Sequence, residues 1–148
     1  MGEAATKQLD ELWKTVTAGE QPQQIELTVK GRQLQVPMAA LGAARFRFAD
    51  LCEKPLGATD YLKIAQSFHS LFIEYIPTFT AEKRNEAKRF INLIDTIYDA
   101  GVKLVATAAA APTELNAGLR EVEAFEFDRT VSRLIEMQSD EYLSAKAP

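Results

Sequence analysis

The chain has 148 residues, 47% apolar and 26% charged, which suits one domain able to bury about 68–70% of its unfolded surface. One cysteine, Cys52, and one histidine, His69, exclude an internal disulfide framework, a Cys-rich zinc site and a His-based metal cluster. Net charge is −4, with residues 1–111 neutral and the excess acid in 112–148, so the clustered Lys and Arg that mark nucleic-acid binding are missing.

Lys7–Val16 places apolar residues at 9, 12, 13 and 16, the spacing of a helix. Gly19 and Pro22 stop it, and 21–24 is a polar loop. Ile25, Leu27 and Val29 alternate with polar residues, and so do Leu34 and Val36 beyond Lys30-Gly31. This predicts a β-hairpin whose second strand ends at Pro37. Arg45–Phe48 alternates cleanly and reads as a half-buried strand with both Phe rings inward. A short helix follows over Asp60–Phe68, then a buried strand over Ser70–Ile76 that Pro77 stops. Thr80 is the expected N-cap of a long helix with Ala87, Phe90, Ile91, Ile94, Ile97 and Tyr98 on one stripe. Gly101 ends that helix.

Val102–Ala108 is the third strand of this series. Strands alternating with helices imply parallel pairing with right-handed crossovers. Beyond Pro112 a loose acidic stretch leads to a final helix over about Asp128–Gln138. Asp128 is its expected N-cap, and Phe127, Val131, Leu134, Ile135 and Gln138 face inward. The predicted class is α/β, a small largely parallel sheet with crossover helices, preceded by an N-terminal helix and a β-hairpin. The expected divisions are 1–41 for the helix and hairpin, 42–143 for the α/β region and 144–148 for a frayed tail.

No apolar run approaches the ~18 residues of a membrane span, and no signal-peptide pattern opens the chain; both point to the cytoplasm. No G-x-x-x-x-G-K-[ST] occurs, so the usual phosphate-cradling loop is missing. Leu71-Phe72-Ile73-Glu74 has the form of a strand that delivers a carboxylate to a nucleotide. Without that loop, Glu74 reads better as the end of a buried strand. Arg129 and Arg133 are i, i+4 neighbours that could reach a phosphate, or could pair on the surface with Glu126 and Glu136. Arg84, Lys88 and Arg89 read as a solvated edge, His69 as structural and Cys52 as a small core residue.

Three segments resemble a known family. Phe48–Leu62 is similar to "F-x-x-L-C-x-x-P-L-G-x-x-D-Y", Arg89–Tyr98 to "R-F-I-x-L-I-D-x-L-Y", and Arg129–Ser139 to "R-T-x-S-R-L-x-E-M-x-S". All are signatures of the ZapE-type cell-division ATPases and their mitochondrial relatives, the AFG-one-like family of AAA+ P-loop ATPases. The resemblance runs from Leu12-Trp13 to Leu143. It implies a C-terminal portion of such a protein, beginning at an internal or mispredicted Met1 and lacking the P-loop half. The whole protein would use ATP and Mg2+, act with protein partners of cell division and be able to oligomerise. The isolated segment would hold no metal or cofactor and be inactive. The resemblance makes Arg133 or Arg129 a candidate nucleotide-sensing arginine. The alternative is a stand-alone, non-catalytic protein-interaction module.

Overall fold

A computed structural model describes residues 3–137. Helix α1 (Glu3–Val16) leads to strands β1 (Gln23–Val29), β2 (Arg32–Ala40) and β3 (Ala43–Arg47). Then come α2 (Phe48–Cys52), α3 (Ala58–Ser67), β4 (Ser70–Ile76), α4 (Arg84–Asp99), β5 (Lys103–Ala108) and α5 (Glu121–Met137). The five strands form one sheet in the order β1-β2-β3-β4-β5. Pairing is antiparallel across β1/β2 and β2/β3, and parallel across β3/β4 and β4/β5. The expected α/β class holds, with the parallel half built by the later strands.

Two tight turns set the antiparallel half. Lys30 and Gly31 have φ of 48° and 79°, and Leu41 and Gly42 have φ of 47° and 79°. Positive φ at both central residues matches the right-handed strand twist. The second turn joins β2 to β3, a pairing that the sequence reading did not include. A Cβ on Gly42 would also lie 2.6 Å from Cδ2 of His69. That ring is held between the Ser70 hydroxyl at 2.8 Å and the Leu41 carbonyl at 2.9 Å, so His69 is structural, as expected.

Pro37 does not end β2. Register shifts between Gln23↔Ala39 and Ile25↔Val36, and pairing with β3 starts only at Met38. Proline, which has no N–H to donate, sits at this irregularity, where a ladder bond is already lost.

Alternation along the strands sends side chains to two layers. Leu71 and Ile73 join Ala44 and Phe46 in the main core beneath α2–α5. Phe72 and Ala43 point the other way, to Leu9 and Trp13 of α1. The Trp13 and Phe72 rings meet edge to face at 5.1 Å. In the main core Phe48, Phe79, Phe90 and Phe127 form a chain of ring contacts of 5.1–6.0 Å. Phe48 is buried as expected, but it opens α2 instead of closing the strand. Asp50 accepts the Arg47 N–H at 2.9 Å there, and such a cap favours helix over further strand.

Three further local expectations change. Thr80 makes no capping bond through its side chain; a 3₁₀ turn, Ala81–Lys83, precedes α4. Helix α5 begins at Glu121, seven residues before the expected cap Asp128, because Glu121 and Glu123 complement the positive helix N-terminus. Ile135 is 47% exposed, not inward. Gln138 and the 144–148 tail lie outside the described residues.

Candidate functional site

Helices α4 and α5 pack side by side, and their outer rim carries the residues singled out above. Asp95 and Tyr98 lie on one side of α4 at i, i+3 spacing, and Arg129, Arg133 and Glu136 run along α5. Asp95 receives both arginines. Its Oδ2 lies 3.0 Å from Nη2 of Arg129, and its Oδ1 pairs with Nη1 of Arg133. The Arg133 guanidinium also lies over the Tyr98 ring, 4.9 Å from its centroid. Tyr98 in turn donates its phenol proton to Glu136 Oε2 at 2.7 Å, which raises the phenol above its usual range.

The ion pairs therefore cross between helices, to Asp95, and do not run along α5 to Glu126 and Glu136. A carboxylate on α4 lies between two arginines one turn apart, so one acid serves both. Their exposures differ: the Arg129 side chain is 67% exposed, but Arg133 only 21%. Arg133 is thus the less accessible of the two. It is clamped by a carboxylate on one side and an aromatic face on the other. Asp95 was not among the sequence candidates. Its signal was a lone carboxylate beside the apolar stripe, one turn before Tyr98.

Glu74 sits elsewhere. It is inside β4, opposite Arg47, and its Oε1 takes the Nε proton of Arg45 at 2.8 Å. Arg45 also reaches Asp10 of α1 at 2.5 Å and stands 6.0 Å from the Trp13 ring centroid. Its side chain is 11% exposed and that of Glu74 13%. Burial opposes the Arg45 charge, yet the hydrogen bonds to Glu74 and Asp10 outweigh it and raise its pKa. Glu74 thus neutralises a nearly buried cation, and that cation ties the sheet to α1 through Asp10, a structural task.

The first signature segment is also structural here. Asp60 is buried, accepting the Gly57 N–H at 2.8 Å with one oxygen and the Arg32 guanidinium at 2.8 Å with the other. Tyr61 donates to the Leu51 carbonyl at 2.7 Å. Cys52 is fully buried, as expected of a core residue. Arg89, expected on a solvated edge, instead donates to the Cys52 carbonyl at 3.0 Å, which closes α2 onto α4.

A second feature went unrecognised in the sequence. At the end of β5 a groove of about 530 Å³ is lined by Leu104, Ala106, Ala108 and Pro112, with Leu134 and Met137 of α5. Its residues are spread over four segments, so periodicity could not assemble it. Among the described residues no group of three or more His, Cys, Asp or Glu is placed to hold a metal ion. No helix there is long and apolar enough to cross a membrane.

The three signature segments, the third as far as Met137, meet in one core, and the sequence that builds it is that of an ATPase family. The AFG1-like ATPase family matches residues 1–146, and the chain belongs to it. It is 35% identical over 140 residues to the cell division protein ZapE of Escherichia coli (strain K12), covering 92% of this chain and 36% of that protein. It is 32% identical over 146 residues to lactation elevated protein 1 homolog B of Danio rerio, covering 78% of this chain and 29% of that protein. The chain thus spans about a third of the length of these relatives. No solved structure matches it.

Proposed function

We propose that this chain is the C-terminal portion of an ATP-hydrolysing AAA+ protein that works in the cytoplasm in cell division. In this reading it supplies a nucleotide-sensing arginine and partner-binding surfaces, and a P-loop supplied by another portion of the protein holds the ATP and Mg2+. Family membership and the name of the Escherichia coli relative support the reading.

One observation carries the assignment of roles. Arg129 and Arg133 share Asp95, but only Arg129 is largely exposed. Arg133 anchors α5 to α4 through Asp95 and Tyr98. Arg129 keeps a guanidinium on a rigid helix, tethered at one nitrogen and open at the others, and acts as the sensing group. Arginine suits this because it stays charged and offers a planar set of donors to phosphate oxygens. In phosphoryl transfer such a cation contributes up to about 10³–10⁵ in rate.

The test uses a longer relative that contains both this portion and a P-loop. Arg129→Ala is expected to lower ATP turnover by at least tenfold with the melting temperature nearly unchanged. Arg133→Ala is expected to lower the melting temperature, because it removes the more buried of the two cations on Asp95 and the one that covers the Tyr98 face. Unchanged turnover in Arg129→Ala would return both arginines to a purely structural clamp. The alternative, a stand-alone interaction module, is favoured by the open groove beside β5.

A further inference from the structure

Arg129 and Arg133 stand one turn apart on α5, and Asp95 meets each of them with a different oxygen. Its side chain is 23% exposed, close to the 21% of Arg133 and far from the 67% of Arg129. The carboxylate is itself held, because Arg133 grips it from the buried side. Arg133 in turn lies against the Tyr98 ring, and the Tyr98 phenol is bonded to Glu136. The fixed part of this chain of contacts ends at Oδ2 of Asp95. From there one bond of 3.0 Å reaches Nη2 of an arginine that is otherwise mostly in solvent. An exposed arginine loses a large rotamer entropy when a ligand fixes it. The bond to Oδ2 engages one of its five N–H donors and restrains the guanidinium before any phosphate arrives, which is preorganisation.

We propose that Asp95 is the positioning residue of this site: it touches no phosphate and acts through Arg129, whose guanidinium it holds in one orientation. The proposal rests on the reading of Arg129 as the sensing group. Charge alone predicts the opposite effect. A carboxylate beside a cation lowers the positive potential that a phosphate meets, so an acid acting only by charge would weaken Arg129, and its removal would speed turnover. An acid acting by geometry helps, and its removal slows turnover. Asp95→Asn separates the two accounts. Asn keeps the size and one acceptor oxygen, and sets an NH2 donor where the second oxygen was. One arginine must then lose its acceptor. Arg133 is the more buried and costs more to leave unpaired, so it keeps the oxygen and Arg129 is released.

The experiment has two arms. On the 148-residue chain, NMR order parameters of the arginine Nε–Hε groups read the restraint directly. Arg129 should be ordered in the wild type and mobile in Asp95→Asn, while Arg133 stays ordered in both. An Arg129 that is equally mobile in the two proteins overturns the proposal. The second arm measures ATP turnover in a longer relative that carries these three residues and a P-loop. Asp95→Asn should lower turnover by at least about threefold, since small misplacements of such groups are costly. The double variant Asp95→Asn/Arg129→Ala should be no slower than Arg129→Ala alone, because both changes remove one function. Effects that multiply would make Asp95 a structural support, and unchanged or faster turnover in Asp95→Asn overturns the proposal while leaving Arg129 as the sensor. Unchanged turnover in Arg129→Ala removes that reading and the proposal with it. Should circular dichroism show Asp95→Asn unfolded, Asp95→Glu replaces it. That variant keeps the charge but shifts the oxygens by one methylene, and the same non-additive loss is expected.

Discussion

At the scale of single residues, burial decides chemistry more than residue type does. Cys52 would be a reactive thiol on a surface, but in the core burial pushes it from 9.0 up to about 12. Tyr61, whose proton is held by the Leu51 carbonyl, is raised above its ordinary value mainly by burial. Both groups keep their protons in the fold when the unfolded chain has lost them. Above about pH 9 the unfolded state therefore binds fewer protons than the native state, and stability falls as pH rises toward 12. Below pH 9 the thiol contributes no pH dependence. Urea titrations at intervals from pH 8 to pH 11 should show a shallower alkaline loss in Cys52→Ala than in wild type. Equal slopes in the two proteins would contradict this account. The arginines show the same rule: Arg129 and Arg133 are identical in kind, and their exposure, 67% against 21%, is what sets them apart.

At the scale of elements, α1 is attached to the sheet by a small satellite core and one shared cation. Trp13 meets Phe72 edge to face, and Arg45 joins Asp10 of α1 to Glu74 of β4. The costs of breaking these contacts should differ in order. Phe72→Ala opens a cavity and should cost about 3–5 kcal/mol. Glu74→Gln keeps an acceptor for Nε but strips the more buried of two charge partners from a nearly buried guanidinium, and should cost about 1–3 kcal/mol. Asp10→Ala should cost less than about 1 kcal/mol, because the Asp10 side chain is 47% exposed and water screens the pair. The one tryptophan, Trp13, lies at this junction, so its fluorescence through a urea titration reads all three. A cost for Asp10→Ala equal to that of Glu74→Gln would show that α1 is held by the ion pair more than by ring packing.

At the scale of the whole molecule, the same geometry bears on catalysis by the chain alone. No G-x-x-x-x-G-K-[ST] loop occurs in its 148 residues, and its strand-borne carboxylate Glu74 is engaged by Arg45. Purified alone, the protein should release phosphate from ATP no faster than a buffer blank. Turnover above the blank that Glu74→Gln abolishes would make Glu74 a catalytic acid and end the structural account of it.

The α/β class, all three parallel strands and the long helix α4 were legible in the sequence, because each rests on local periodicity. Ser70–Ile76 is a continuous apolar run and Ala87–Ile97 a single stripe, and burial of such patterns admits few alternatives. The signature segments likewise declared the family. The β2–β3 turn was missed because Leu41 carries a positive φ that no leucine advertises, and α5 began early because its first turn is acidic and not apolar. What only the tertiary structure decided is which residues meet. Asp95 lies 34 positions before Arg129 and pairs with it because α4 and α5 are neighbours. Glu74 finds Arg45 across the sheet, and the groove at β5 gathers side chains from segments far apart. Periodicity records the side an element turns to the core, whereas partners are set by packing between elements, a long-range property that no local pattern encodes.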